Sequence, residues 1–133
     1  MPLLPITALY SALTGFFLLY LAYGVVQHRQ RHKSGLGHSQ PDILISGRIH
    51  ANAAEYIPIT LILLSLAELN GAPNMLLHGI GVWFLISRIL HAWGFKKSKG
   101  GAHFARYWGV VITFMCIILL GLTNIVLSWR YLI

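Results

Sequence analysis

Arg48, Asn52 and Glu55 stand four and three residues apart inside a long apolar stretch, with Tyr56 beside the last of them. On a helix turning about 100° per residue, the first three fall within a sector of roughly 60°, and Tyr56 lies at its edge. A second apolar stretch carries Arg88, His91 and Phe95, again at spacings of three and four, on one helix face. A guanidinium, an amide, a carboxylate and a phenol on one stripe are groups that hold a charged, polar ligand. Arginine takes carboxylates bidentately, an asparagine reads an amide, and a tyrosine donates a hydrogen bond. Glu55 lies roughly 18–20 Å along its helix from Asp42. An unpaired carboxylate at that depth of a bilayer costs about 3 kcal/mol or more, so it needs partners.

The candidate partners outnumber it. Arg48 and Arg88 lie at comparable depth, and Arg29 and Arg31 close the first apolar stretch at the same membrane face. Surplus cation in an embedded layer points to an anionic ligand. A buried ion pair of Glu55 with Arg48 or Arg88 that only holds helices together is the alternative, and so is a pair of haem-ligating histidines, His50 and His91. His28 and His32 are spaced to chelate a metal but sit in an exposed basic segment, so no metal site is expected. Cys116 is the single cysteine and lies in an apolar run. It excludes an intrachain disulfide and a cysteine zinc cluster. Any thiol chemistry therefore needs a thiol brought by a ligand.

These residues must be positioned by helices in a membrane. The chain has 133 residues, 56% hydrophobic and 10% charged, against about 25% charged in a soluble domain. Four stretches approach the ~20 apolar residues that span a bilayer: residues 6–26, 43–69, 75–95 and 105–129. Backbone in lipid must satisfy its own hydrogen bonds, so each is read as a helix. The run 110–122 does not alternate as a barrel strand would. The expectation is an all-α integral membrane bundle of four helices in one domain, residues 1–133.

The connections set its orientation. The first loop holds Arg29, Arg31 and Lys33. The third holds Lys96, Lys97 and Lys99, with Arg106 just after. The second loop and the N-terminus hold no lysine or arginine, and Arg130 stands alone near the C-terminus. By the positive-inside rule, loops one and three are cytoplasmic and both termini outside. Topology thus accounts for the net charge of +7. The basic patches lack interleaved aromatics or a nucleic-acid module, so no nucleic-acid partner is expected. Glu68 falls at the outer end of the second helix and reads as solvated. Gly71 suits a helix C-terminal cap and Pro73 a new N-terminus. Pro58 is expected to free a carbonyl beside the polar layer.

The string Arg48-x-His50-x-Asn52-x-x-Glu55-Tyr56-x-Pro58 resembles the second-helix signature of the MAPEG family (membrane-associated proteins in eicosanoid and glutathione metabolism). Four helices and a basic first loop fit as well, and the likeness covers most of the chain. The small bacterial members look most similar, which implies a bacterial inner membrane. The resemblance implies a homotrimer that binds glutathione between subunits near the cytoplasmic face and delivers its thiol to a lipophilic second substrate, by transfer or peroxide reduction. It implies that Arg48, Asn52, Glu55 and Tyr56 contact glutathione, with Glu55 on the α-amino group and arginines on the carboxylates. On the third helix the family often shows Arg-x-x-His-x-x-x-Tyr. Arg88 and His91 match, while Phe95 replaces the tyrosine and removes one donor. Arg106 is the candidate activator of the thiol, and Arg29 or Arg31 the candidate for a first-helix arginine. A non-catalytic scaffold or accessory subunit remains the alternative.

Overall fold

The computed structural model describes residues 3–132, except the side chain of Arg130, so the Arg130 charge of the topology count lies outside what is described. Among the described residues the chain forms four helices: α1 (Pro5–Arg31), α2 (Pro41–Leu69), α3 (Asn74–Lys97) and α4 (Phe104–Leu132). All four are long and apolar enough to cross a membrane, and no strand occurs among the described residues. The protein is an all-α, four-helix membrane bundle. Its helices outrun the apolar spans. α1 continues through residues 27–31, and α2 begins at Pro41, because a backbone leaving the hydrocarbon keeps its helical bonds while its side chains turn polar. Hydropathy marks the lipid layer, not the helix end.

Local chemistry sets the ends. Pro5 and Pro41 occupy first helical turns, where their missing N–H is no loss. α2 ends on Gly71, at φ 81°: Gly71 N bonds Glu68 O, and Ala72 N bonds Ala67 O. That is a Schellman closure. α1 and α3 close in the same pattern, but with Lys33 (φ 48°) and Lys99 (φ 51°) in the left-handed position where glycine is usual. α2 runs unbroken through Pro58, with the Thr60 hydroxyl donating to Tyr56 O at 2.8 Å nearby.

α2 and α3 lie in the middle; α1 and α4 do not pack on each other among the described residues. The closest pair is α3 with α4. On α4 the buried residues Ala105, Gly109, Thr113 and Cys116 recur every three or four positions. On α3, Ser87, Arg88, His91 and Gly94 face them. A methyl group added at Gly109 would sit 2.7 Å from both His91 N and Ser87 O, and one at Gly94 would run into the backbone of Arg106. Small residues let two membrane helices approach closely. Here they do so at the level of the arginines.

The other end is tied differently. Glu68 is not simply solvated, as its position suggested. Its Oε1 accepts from Ile6 N at 2.8 Å and its Oε2 from Thr7 N at 2.7 Å. Leu4, the residue before α1, offers no side-chain cap, so a carboxylate from α2 takes two of the amides a helix start leaves unpaired. The Tyr10 ring lies over Gly81, and its hydroxyl donates to His78 O at 3.1 Å.

A polar layer on α2 as the candidate ligand site

Arg88 anchors the layer. It is 2% exposed and has no carboxylate beside it. Its Nη1 donates to Asn52 Oδ1 at 2.8 Å. Its Nη2 donates to Gly109 O at 3.2 Å and to the Thr113 hydroxyl. The Thr113 hydroxyl in turn donates to Gly109 O at 2.8 Å and lies 2.9 Å from the Ser87 hydroxyl. Three helices are thus joined by one guanidinium whose partners are all neutral. The guanidinium also lies 5.4 Å from the centre of the Tyr56 ring, which packs on Phe114 at 5.8 Å. Arg88 Nε is buried with no partner among the described residues.

The α2 residues divide by depth. Asn52 and Tyr56 are half-buried against this network, while Arg48 and Glu55 are exposed on the flank of the chain. Arg48 and Glu55 are two helical turns apart, about 10 Å along the axis. Neither forms an ion pair among the described residues, where the single one is His32 Nε2 with Asp42 Oδ2 at 3.1 Å. The alternative of an ion pair between Glu55 and Arg48 or Arg88 is therefore not realised among the described residues. The cause is direction: Arg88 points inward to α4, and Glu55 points outward. His91 is buried against α4, 5.8 Å from Phe95, and His50 is half-buried on α2.

Arg106 opens α4. Its guanidinium stacks 4.1 Å from the Phe95 ring centre. Its Nη1 donates to Gly100 O and, at 2.9 Å, to Gly101 O. The phenylalanine on α3 thus serves as a platform for the arginine. Nε and Nη2 of Arg106 make no hydrogen bond among the described residues, which leaves donors for an anion. Arg29 stays local: its Nη1 donates to Gly35 O at 3.1 Å in the first loop, and Arg31 is exposed. Within one chain the structure brings Asn52, Tyr56 and Arg88 together. It sets Arg106 on Phe95, about two helical turns along α3 from Arg88, and leaves Arg29 and Arg31 on the loop side of α1. No group of three or more His, Cys, Asp or Glu residues is placed to hold a metal among the described residues.

Ser87, Gly109 and Thr113 were missed in the sequence. Their signal was there: Ala105, Gly109 and Thr113 are spaced by four along the fourth span, a small-residue stripe.

The donor set suits a peptide-like zwitterion. An exposed cation and an exposed carboxylate lie on one flank, with an amide between them and a phenol one position beyond the carboxylate. Comparison with known families matches residues 7–126 to the MAPEG family. Two relatives, both Inner membrane protein YecN from Escherichia coli strains, are each 32% identical over 124 residues, covering 90% of this chain and 90% of theirs.

Proposed function

Because the chain belongs to the MAPEG family, we propose that its exposed α2 flank binds glutathione, completed by neighbouring copies in a homotrimer of a bacterial inner membrane, with the basic loops in the cytoplasm. The observation that carries this reading is the pair Arg48 and Glu55: opposite charges, exposed and with no ion pair among the described residues, on one flank of a membrane helix. Facing lipid, such a flank would cost several kcal/mol. Against a zwitterionic tripeptide and a second copy, the same charges are matched.

Each residue then has a task. Arg48 takes a carboxylate, Glu55 the α-ammonium, and the Asn52 amide nitrogen a peptide carbonyl, since its oxygen is held by Arg88. Tyr56 donates from its hydroxyl. Glutathione bound here would supply a thiol nucleophile, with which lipophilic electrophiles or hydroperoxides entering from the bilayer would react. A free thiol has a pKa near 8.5 and is mostly protonated at neutral pH. Arg106 stabilises the anionic form through its free Nε and Nη2.

The test is calorimetric titration of the detergent-solubilised protein with glutathione, together with its ultraviolet thiolate band. Binding with a thiolate signal is expected. No binding at millimolar glutathione by the folded protein overturns the reading. A second reading has its own support. Arg88 joins α2, α3 and α4 through its hydrogen bonds, so its network serves a non-catalytic membrane subunit equally well. In that case Arg48 and Glu55 substitutions change assembly and leave no glutathione binding to lose.

A further inference from the structure

A second recess lies away from the Arg48–Glu55 flank. α1 meets α3 where Tyr10 covers Gly81. Toward the basic end the two helices part around a groove of about 690 Å³ between α1, the start of α2 and the end of α3. Its walls are apolar, with Phe17, Ile45, Ile49 and Ile89 among them, and its mouth carries Lys96, Lys99 and His28. The groove is of the size that holds an organic ligand.

We propose that this groove seats one anionic phospholipid, with an acyl chain between α1 and α3 and its phosphate on Lys96 and Lys99. Three observations support this. First, the charge is one-sided. Both lysines are exposed at the rim, and the one carboxylate there, Asp42, is already held by His32 at 3.1 Å. Basic pockets between membrane helices at the loop level bind acidic headgroups. Second, Lys99 occupies a left-handed backbone position (φ 51°) that glycine would take more easily. Lys33 takes the same conformation at the end of α1 (φ 48°), so both basic loops carry a cation at the left-handed turn. Third, His28 Nδ1, on the groove wall, is buried without a partner among the described residues. A headgroup oxygen reaches it once the imidazole turns toward the groove, so it adds to the two lysines and does not replace them. A zwitterionic lipid brings its own cation to the rim and gains little from the lysines.

The proposal is independent of glutathione, and so is its test. The intact protein is exchanged into mild detergent with palmitoyl-oleoyl phosphatidylglycerol or with phosphatidylcholine of the same chains. Retained lipid is counted by native mass spectrometry. Wild type is expected to keep phosphatidylglycerol over phosphatidylcholine. The Lys96→Gln/Lys99→Gln variant should lose that preference roughly thirtyfold, at about 1 kcal/mol per rim cation. Ile45→Trp, which fills the wall and leaves the lysines intact, should reduce retention of phosphatidylglycerol. Equal retention of the two lipids by wild type overturns the proposal. So does unchanged retention in the lysine variant, the result expected if a second copy of the chain occupies the groove. The substituted lysines are exposed, so circular dichroism of that variant should match wild type.

Discussion

Arg88 of α3 holds Asn52 of α2 by its oxygen, at 2.8 Å, and holds Gly109 of α4 by its carbonyl, at 3.2 Å. One fully enclosed cation therefore decides which way the asparagine on the exposed flank presents its amide. The N–H₂ end is the one left over, so the residue offers a donor to whatever lies on that flank.

Asn52→Leu removes an acceptor and leaves Arg88 Nη1 unpaired in the bundle. A loss of about 1–3 kcal/mol is expected. It would appear as a lower midpoint for unfolding in mixed detergent micelles. Arg88→Met added to Asn52→Leu should recover part of that loss, because both partners are then apolar. Full additivity of the two single losses would contradict the coupling.

Arg48→Gln and Glu55→Gln touch side chains that make no ion pair within the chain. The chain's own unfolding free energy should change by about 0.5 kcal/mol or less. Glutathione affinity should fall roughly tenfold or more for each, since charged hydrogen bonds are worth about 1.5–3 kcal/mol. Calorimetry of the two variants reads this directly. Unchanged affinity in both would remove them from the binding site.

Arg106→Ala should keep glutathione bound while the thiolate band disappears. Phe95→Leu removes the ring under Arg106 but leaves the Gly100 and Gly101 carbonyls. The cation–π contact is worth about 0.5–2 kcal/mol, so the thiolate fraction should drop severalfold with binding unchanged. Phe95→Tyr should retain it. Full thiolate formation in Arg106→Ala would assign the role to another arginine.

Gly109→Ala places a methyl group 2.7 Å from His91 N and Ser87 O. Both are backbone atoms, so α3 and α4 must separate. Overpacking of this kind costs about 1–3 kcal/mol. A rise in amide exchange at residues 87–91 is the signature to measure. Unchanged protection there would mean the helices are less tightly apposed.

Glu68→Gln keeps one carbonyl oxygen for the start of α1 and puts an N–H₂ where the other acceptor was. Losing a helix cap costs about 0.5–2 kcal/mol. Faster exchange of the Ile6 or Thr7 amide, with the rest of α1 unchanged, is the expected result.

Much of this was legible in the sequence. The four spans were, because lipid imposes one length and one composition on each. So was the α2 stripe, since Arg48, Asn52, Glu55 and Tyr56 violate that composition at helical spacing. The direction of each residue was not. Helical phase places Arg88 on a face with His91 and Phe95, but not whether that face meets α2, α4 or lipid. The gap that admits Arg88 to α4 depends on Gly94 and Gly109, residues defined by what they lack. Glu68 was read as solvated because its partners are backbone amides sixty residues away in the chain, which no side-chain pattern records.

The carboxylate on Ile6 and Thr7 also orders events during synthesis. α1 leaves the ribosome with its first amides bare, and the group that satisfies them is made only as the last turn of α2 is translated. The first span can be inserted early, but its leading end is finished late. A nascent chain stalled before Glu68 would present a frayed start to α1, and one released just after it would not.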